Sequence, residues 1–445
     1  MQYDERYTPY IEMTGLLPFI QLVSRSTPNL NAAAVTTLID HWRPETHSFH
    51  LRTGEMTVTL QGVSMITALP IEGKPLCMST DSEGWRQQME ALIGMSPQEP
   101  EVEDGGKKDR VPAGAPFTWI AANFAHCPED ADDEVIQRYA RVYMWCVISR
   151  TIFADGTGKN APWMWLMALT VFDNKFSWGS AALAYLYRQL DDACRRTTKD
   201  GGVGGCMLLL SVEWQPYGAR QNFGDAHTFE LNPLCVQEKH LWLMRCPLIC
   251  NWAVEFHLPH RVMHQFGFFQ PHPPEWVDTD TQLHRLDRRR QRKIKDWHKH
   301  HKSYVIMFEQ SVQAASSIQR TQYRQHCSLA FNNYLRWFQE STRVEICPPA
   351  YEEDILEEPT EYDALAQGDY NKLIREGYQT SFAPVLNFVR KEVKKQADES
   401  EDILEKIPGG KKGESALRLF IKVLCHYYYF AHECNIRYLI YVIYI

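Results

Sequence analysis

Histidine offers the first residues with chemistry to do. His41, His47 and His50 fall close together with Glu45 between them. Imidazole and carboxylate are zinc donors, yet a zinc site needs several of them converging, and Ser48-Phe49 between the last two histidines is not a ligand frame. The plainer reading is a folding motif whose imidazoles hydrogen-bond to backbone groups. His257, His260 and His264 share one helical face by spacing, with Glu255 and Cys250 upstream, but Pro259 interrupts the early turn. Neither HExxH nor CxxC accompanies them, and Cys246-x-x-x-Cys250 is a thin ligand pair. No metal or other cofactor is therefore assigned; His257, His260 and His264 come nearest to a ligand set.

Other groups give less. Glu45, Glu55, Asp155 and Asp173 would suit two-metal cleavage of nucleic acid, but no spacing brings them together. Trp163, Trp165, Trp178 and Trp214 would build an aromatic cage, though at this spacing tryptophans are more often core. Gly201-Gly202-x-Gly204-Gly205 lacks the Lys-Ser/Thr of a phosphate loop and reads as a loop. The basic run is the most usable signal. From Arg285 to Lys302 there are nine Lys or Arg against two Asp, with three His. Arg288, Arg289, Arg290, Arg292, Lys293 and Lys295 fit a nuclear import signal or a phosphate-binding patch. The competing reading is a solvated helix face, with Trp297 its anchor rather than a base-stacking platform.

The elements that would hold these residues are mostly helices. Two are expected over residues 7–41, the second closing on Asp40-His41-Trp42-Arg43 before Pro44. Phe49-His50-Leu51 and Met56-Thr57-Val58 read as strands about a turn at Gly54. Thr59 is placed to cap a helix from Leu60 to about Ala68. Further helices are expected over Trp85–Ile93, from Asp132-Asp133 to about Phe153, over Trp163–Phe172, from Trp178 to Arg195 with Ser177 as cap, and from Tyr304 into the 330s. Residues 97–114, rich in Gly, Pro and acids, read as an exposed loop. Residues 351–363 carry seven acids and no Lys or Arg, opening an acidic linker with a charged helix over 341–413. The atypical apolar and aromatic tail, 414–445, is interrupted by Lys422, Glu433 and Arg437, which argues against a membrane span.

The 445 residues are 44% hydrophobic and 12% aromatic with 13 Trp, enough for a large core and against wholesale disorder. A net charge of −8 excludes a generally basic nucleic-acid coat, so any such contact needs the local patch at 285–302. Twelve Cys without a regular framework, and no secretory signal after Met1, read as free thiols in a reducing compartment. The fold class that follows is mainly α: one principal multi-helix domain over about 7–340 with a small N-terminal β-hairpin. Residue chemistry alone assigns no activity.

Resemblance adds more. Trp42-Arg43-Pro44-Glu45-Thr46-His47-Ser48-Phe49-His50, then Gly54-Glu55, Thr57-x-Thr59-Leu60 and Leu69-Pro70-Ile71-x-Gly73, resembles the plant mobile domain family, also labelled aminotransferase-like. Trp178-Gly179-Ser180-Ala181, Gly204-Gly205-Cys206, Val254-Glu255-x-His257, Arg261-Val262 and Gln265-Phe266-Gly267 continue the likeness, which ends near Tyr334-Leu335-x-Trp337-Phe338. One departure stands out. Family members carry a Trp- and Arg-containing segment after the Gly-Gly-Cys block, whereas here Leu210 runs almost directly into Ser211-Val212, so a segment near 210–212 is expected to be missing. The aminotransferase label implies pyridoxal phosphate, which needs a Schiff-base lysine; Lys159 and Lys175 sit in turns and neither fits. The resemblance thus implies a non-enzymatic, transposon-derived nuclear protein in transposon silencing, gene-expression control or meristem maintenance. It also implies a phosphatase of the PP7-like type, or other nuclear proteins, as partners. The alternatives are a metal-dependent nuclease or transposition factor, or a decayed element product without function.

Overall fold

The architecture is built around one helix that is apolar on almost every side. In the computed structural model α9 will denote Trp178–Cys194, whose residues from Trp178 to Tyr187 are all buried. A helix of this composition has no solvent face to offer and has to be wrapped by other elements. The structure describes residues 1–25, 32–98, 113–156, 158–195, 203–210, 236–273, 293–315 and 323–342, with Leu283 and Leu286. Contacts divide the chain into one unit of Met1–Leu30 with Leu38–Glu340 and a second of Asn31–Thr37 with Ser341–Ile445.

Along the chain, a short 3-10 turn at Glu5–Tyr7 leads into α1 (Thr8–Thr14), α2 (Leu17–Arg25) and α3 (Ala32–Asp40). Then come strands β1 (Trp42–Arg43), β2 (Ser48–Leu51) and β3 (Gly54–Met56), and helices α4 (Leu60–Thr67) and α5 (Trp85–Ile93). Strand β4 (Gly114–Pro116) precedes α6 (Phe117–Asn123) and α7 (Asp133–Arg150); β5 (Asn160–Pro162) precedes α8 (Trp163–Met167) and α9. The rest is β6 (Cys246–Cys250), β7 (Ala253–His257), a kinked 3-10 stretch at Pro259–Phe266, α10 (Trp297–His300), α11 (Lys302–Ala315) and α12 (Ser328–Ser341). The protein is mainly α, and its sheets are three small antiparallel ones: β1-β2-β3, β4-β5 and β6-β7. No helix among the described residues is long and apolar enough to cross a membrane.

Local chemistry explains most boundaries. Thr59 caps α4 by accepting from the Gly62 N–H, and Asp132 caps α7 by accepting from Val135 at 2.9 Å. Asp133 and Glu134 add negative charge at the positive end of that helix. The β2–β3 turn uses Gly54 at φ 105°, a value glycine adopts without strain. Helix α9 packs on β6 and β7 on one side and on α4 and β1 on others.

Several expectations are corrected. The helix before Pro44 ends at Asp40, and Trp42–Arg43 is instead a strand paired with Phe49 and Ser48, because Trp42 is drawn into the core. The helix at Trp163 stops at Met167 and continues as turns. Ser177 does not cap α9; its hydroxyl donates to the Ile71 carbonyl at 2.6 Å and ties the helix start to the segment after α4. The helix from Tyr304 into the 330s is two helices, α11 and α12. Gly114 belongs to a strand, while residues 99–112 of the loop expected at 97–114 lie outside the described residues. So do Trp214, residues 211–212, the acidic linker beyond 342 and the 414–445 tail.

Candidate functional site

The buried end of α9 gathers the most concentrated polar chemistry in the described chain. Tyr187, Arg188 and Asp191 sit one turn apart, the spacing that puts i, i+3 and i+4 side chains on one side of a helix. His47 reaches them from the β1–β2 connection and Glu255 from β7. His47 Nε2 lies 2.9 Å from Glu255 Oε2 and 3.8 Å from Asp191 Oδ2, and all three side chains are essentially without solvent exposure. Each is oriented from behind. The Trp42 indole N–H donates to Asp191 Oδ1 at 2.7 Å, Arg188 Nε donates to Glu255 Oε1 at 2.6 Å, and His47 Nδ1 faces the Phe256 carbonyl at 3.1 Å. The Tyr187 ring stacks on the imidazole at 5.0 Å, and its hydroxyl donates to the Val58 carbonyl. His47 itself has φ 49°, an uncommon left-handed backbone that aims its ring inward.

Electrostatics follow from that geometry. Burial alone would lower the His47 pKa, but the Glu255 and Asp191 carboxylates outweigh it and hold the value above the ordinary imidazole range. Burial likewise opposes the Arg188 charge, and Glu255 more than restores it. Two carboxylates and two basic side chains thus compensate one another, which is the condition for burying charge at tolerable cost.

A second polar lock lies beside it. Arg261 donates to both oxygens of Glu55, at 2.6 and 2.5 Å, and Ser48 donates to the same carboxylate. Burial pushes the Glu55 carboxyl up while Arg261 and Ser48 pull it back. The Glu55 N–H donates to the Tyr334 hydroxyl at 3.0 Å. Gln265 acts as a strand segment would: its Oε1 accepts from the Thr57 N–H at 2.9 Å and its Nε2 donates to the Thr57 carbonyl at 3.0 Å. Phe266 is buried next to it, and Gly267 ends the stretch at φ 73°.

The two candidate histidine sets, to which no metal is assigned, do not converge. His50 points toward Thr46 and Phe338, and its pKa is pushed down to about 3 by burial. His257 Nδ1 donates to the Met244 carbonyl at 2.6 Å and its Nε2 accepts from the Leu60 N–H, a neutral imidazole with both nitrogens engaged. His264 Nδ1 donates to Gln270 Oε1 at 3.1 Å, and burial pushes His257, His260 and His264 each down to about 4. The structure instead draws His47 from one set and Glu255 from beside the other. Of the four separate acids, Glu45 is exposed and Glu55 is bound by Arg261, so no two-metal carboxylate site forms. Trp163, Trp165 and Trp178 are core, and Trp297 anchors α10 by donating to Thr80 at 2.8 Å. Arg43 is half-buried against backbone carbonyls of Asp40 and Trp42, and Gly179 lies against Ile71, Val63 and Leu69.

The basic patch is seen only in part. Lys293 is exposed, and Lys295 is paired with Asp81 at 2.8 Å and Glu83 at 3.0 Å. Arg288, Arg289, Arg290 and Arg292 lie outside the described residues.

Two residues central to the buried cluster, Arg188 and Asp191, carry no role in the sequence reading. A signal was there: both are charged residues in a helix that is apolar on almost every side, and buried charges need partners.

Comparison with known proteins decides the family. The plant mobile domain model matches residues 18–212 and 206–339. The chain belongs to the plant mobile domain family. It is 35% identical over 205 residues to Protein MAIN-LIKE 2 of Arabidopsis thaliana, covering 46% of this chain and 28% of that one. It is 29% identical to Protein MAINTENANCE OF MERISTEMS of the same plant over 56% of this chain and 59% of that one. It is also 28% identical to the Serine/threonine-protein phosphatase 7 long form homolog, over 72% of this chain but 27% of the relative. The chain therefore spans less than two thirds of the length of these relatives. No solved structure matches.

Proposed function

We propose that this plant mobile domain protein is a non-enzymatic, transposon-derived nuclear protein that acts in transposon silencing, gene-expression control or meristem maintenance through protein partners. The observation that carries the reading is the plant mobile domain match over residues 18–212 and 206–339, together with the likeness to the MAINTENANCE OF MERISTEMS and MAIN-LIKE proteins. The use of the buried polar residues supports it. Glu55, Gln265, His257 and Arg261 each tie one element to another, and the densest cluster of ionisable groups among the described residues is closed to solvent. A nucleic-acid strand could not reach His47 or Glu255 to be cut. The family match to the phosphatase 7 long form homolog supports a PP7-like phosphatase as the partner class, and the 285–302 run supplies the import signal.

A fluorescent fusion of the full chain is expected to accumulate in nuclei, and replacing Arg288, Arg289, Arg290 and Arg292 with Ala is expected to return it to the cytosol. Unchanged accumulation of the quadruple variant would remove the patch from the proposal. Exclusion of the unmodified fusion from nuclei would remove the nuclear role.

A further inference from the structure

We propose that His47, Asp191 and Glu255 form a buried, structural site for a divalent transition-metal ion of the zinc class. The three donors come from three separate parts of the chain: the β1–β2 connection, α9 and β7. One ligand atom of each residue lies within 4.8 Å of those of the other two. With metal–donor bonds of about 2.0–2.2 Å, neighbouring donors in tetrahedral or octahedral geometry are separated by about 3.0–3.6 Å. The observed separations of 2.9 and 3.8 Å bracket that range, so an ion needs only small side-chain shifts to be held.

The supporting groups distinguish this triad from a plain ion pair. In metal sites the ligating imidazole donates its second nitrogen to a carbonyl, and the ligating carboxylates are themselves hydrogen-bonded. All three residues fit this pattern: His47 Nδ1 faces the Phe256 carbonyl, Asp191 Oδ1 accepts from Trp42, and Glu255 Oε1 accepts from Arg188. These contacts leave the other atom of each residue aimed at a common point. A bound divalent cation would take the place of the His47 proton between Glu255 and Asp191, while Arg188 stays paired with the other Glu255 oxygen. The donor set of one imidazole nitrogen and two carboxylate oxygens suits zinc and its first-row neighbours rather than calcium or magnesium. Full burial makes the role structural: the ion would clamp the N-terminal sheet, α9 and the β6–β7 hairpin together.

The test uses the full-length protein, dialysed against Zn2+ and then against metal-free buffer. About one equivalent of zinc should remain by elemental analysis. At a hundredfold excess of free zinc over its Kd, thermal midpoint measurements should show the stabilisation expected of a ligand that binds only the folded state. Substitution with Co2+ should give d–d absorption without a thiolate charge-transfer band, which separates this triad from the cysteines. Asp191→Asn and Glu255→Gln should lose both the ion and the spectrum while keeping the far-ultraviolet circular dichroism of the parent. The proposal fails if the parent holds no stoichiometric zinc and neither zinc nor chelator moves its midpoint; the triad is then closed by the His47 proton alone. It also fails if zinc is retained undiminished in folded Asp191→Asn protein, because other residues then hold it.

Discussion

Gln265 shows how much a single side chain can carry here. Its amide replaces a missing neighbouring strand for Thr57, satisfying both backbone groups of one residue. Gln265→Leu keeps the volume but leaves a buried N–H and a buried carbonyl without that partner. Each such group costs about 1–3 kcal/mol, so a loss of about 2–4 kcal/mol is expected in urea unfolding. Gln265→Glu should cost at least as much at neutral pH, because it buries a carboxylate against the Thr57 carbonyl oxygen. His264 makes a different prediction, in pH. Its ring packs on Phe331 and Tyr334, donates to Gln270 and faces His326, and burial holds its pKa near 4, below the ordinary imidazole value of about 6.5. Below pH 6.5 the unfolded chain therefore binds a proton that the folded chain does not. Stability from this group is complete above that pH and lost as the pH falls toward 4. Between pH 7 and 5 the group should remove about 2 kcal/mol. His264→Gln should flatten the pH dependence of the unfolding free energy by about that amount; an identical slope would contradict the neutral assignment.

Elements here are joined by small residues and by charge. Gly179, at the start of α9, sits so close to α4 and the segment after it that a Cβ would lie 2.7 Å from Ile71 Cγ2 and 3.1 Å from the Leu69 carbonyl. Gly179→Ala should therefore destabilise by about 1–3 kcal/mol in chemical denaturation, despite the better helix propensity of alanine. The Glu55–Arg261 pair joins β3 to the 3-10 stretch. Glu55→Leu alone strands a buried guanidinium and should cost about 3–5 kcal/mol, while Glu55→Leu with Arg261→Met should recover much of it. Failure of the double variant to recover would mean the carboxylate is needed for Ser48 as well. The same elements mark how far the sequence could be read. The β2–β3 turn at Gly54, the Thr59 cap and the Asp132 start of α7 depend on neighbours in sequence, and all were legible. The β6–β7 hairpin was not. The run Cys246–Cys250 is apolar and buried throughout because α9 and α11 cover it, so no alternation marks it as a strand, and in Ala253–His257 the polar Glu255 and His257 are buried rather than facing solvent. The turn residue Asn251, at φ 51°, was the available hint. The His47–Asp191–Glu255 triad was hidden for a related reason: its members lie far apart in sequence, and only the packing of α9 brings them together.

At the scale of the whole molecule, the decisive tie is between the two ends of the main unit. Helix α12 lies on the β2–β3 hairpin. The Tyr334 hydroxyl accepts from the Glu55 N–H, its ring leaves Gly54 no room for a side chain, and Phe338 packs edge-on against His50 at 5.1 Å. Tyr334 and Phe338 are both fully buried although the rest of α12 is largely exposed. The hairpin therefore depends on residues nearly three hundred positions later. A chain ending after residue 342 should unfold in one cooperative transition by circular dichroism and by tryptophan fluorescence together. A chain ending after residue 325 should not: it leaves the Glu55 N–H without its acceptor, exposes the faces of His50 and Gly54, and should show a lower midpoint with the fluorescence change preceding the loss of helix. Tyr334→Phe in the longer chain isolates the hydrogen bond from the packing and should cost about 1–3 kcal/mol. If both truncated chains unfold at the same midpoint, α12 is an appendage and the family domain closes earlier than Phe338. If only the shorter one is destabilised, the N-terminal hairpin and α12 form one cooperative core, in which the motif from Trp42 to Glu55 cannot fold without the far end of the domain.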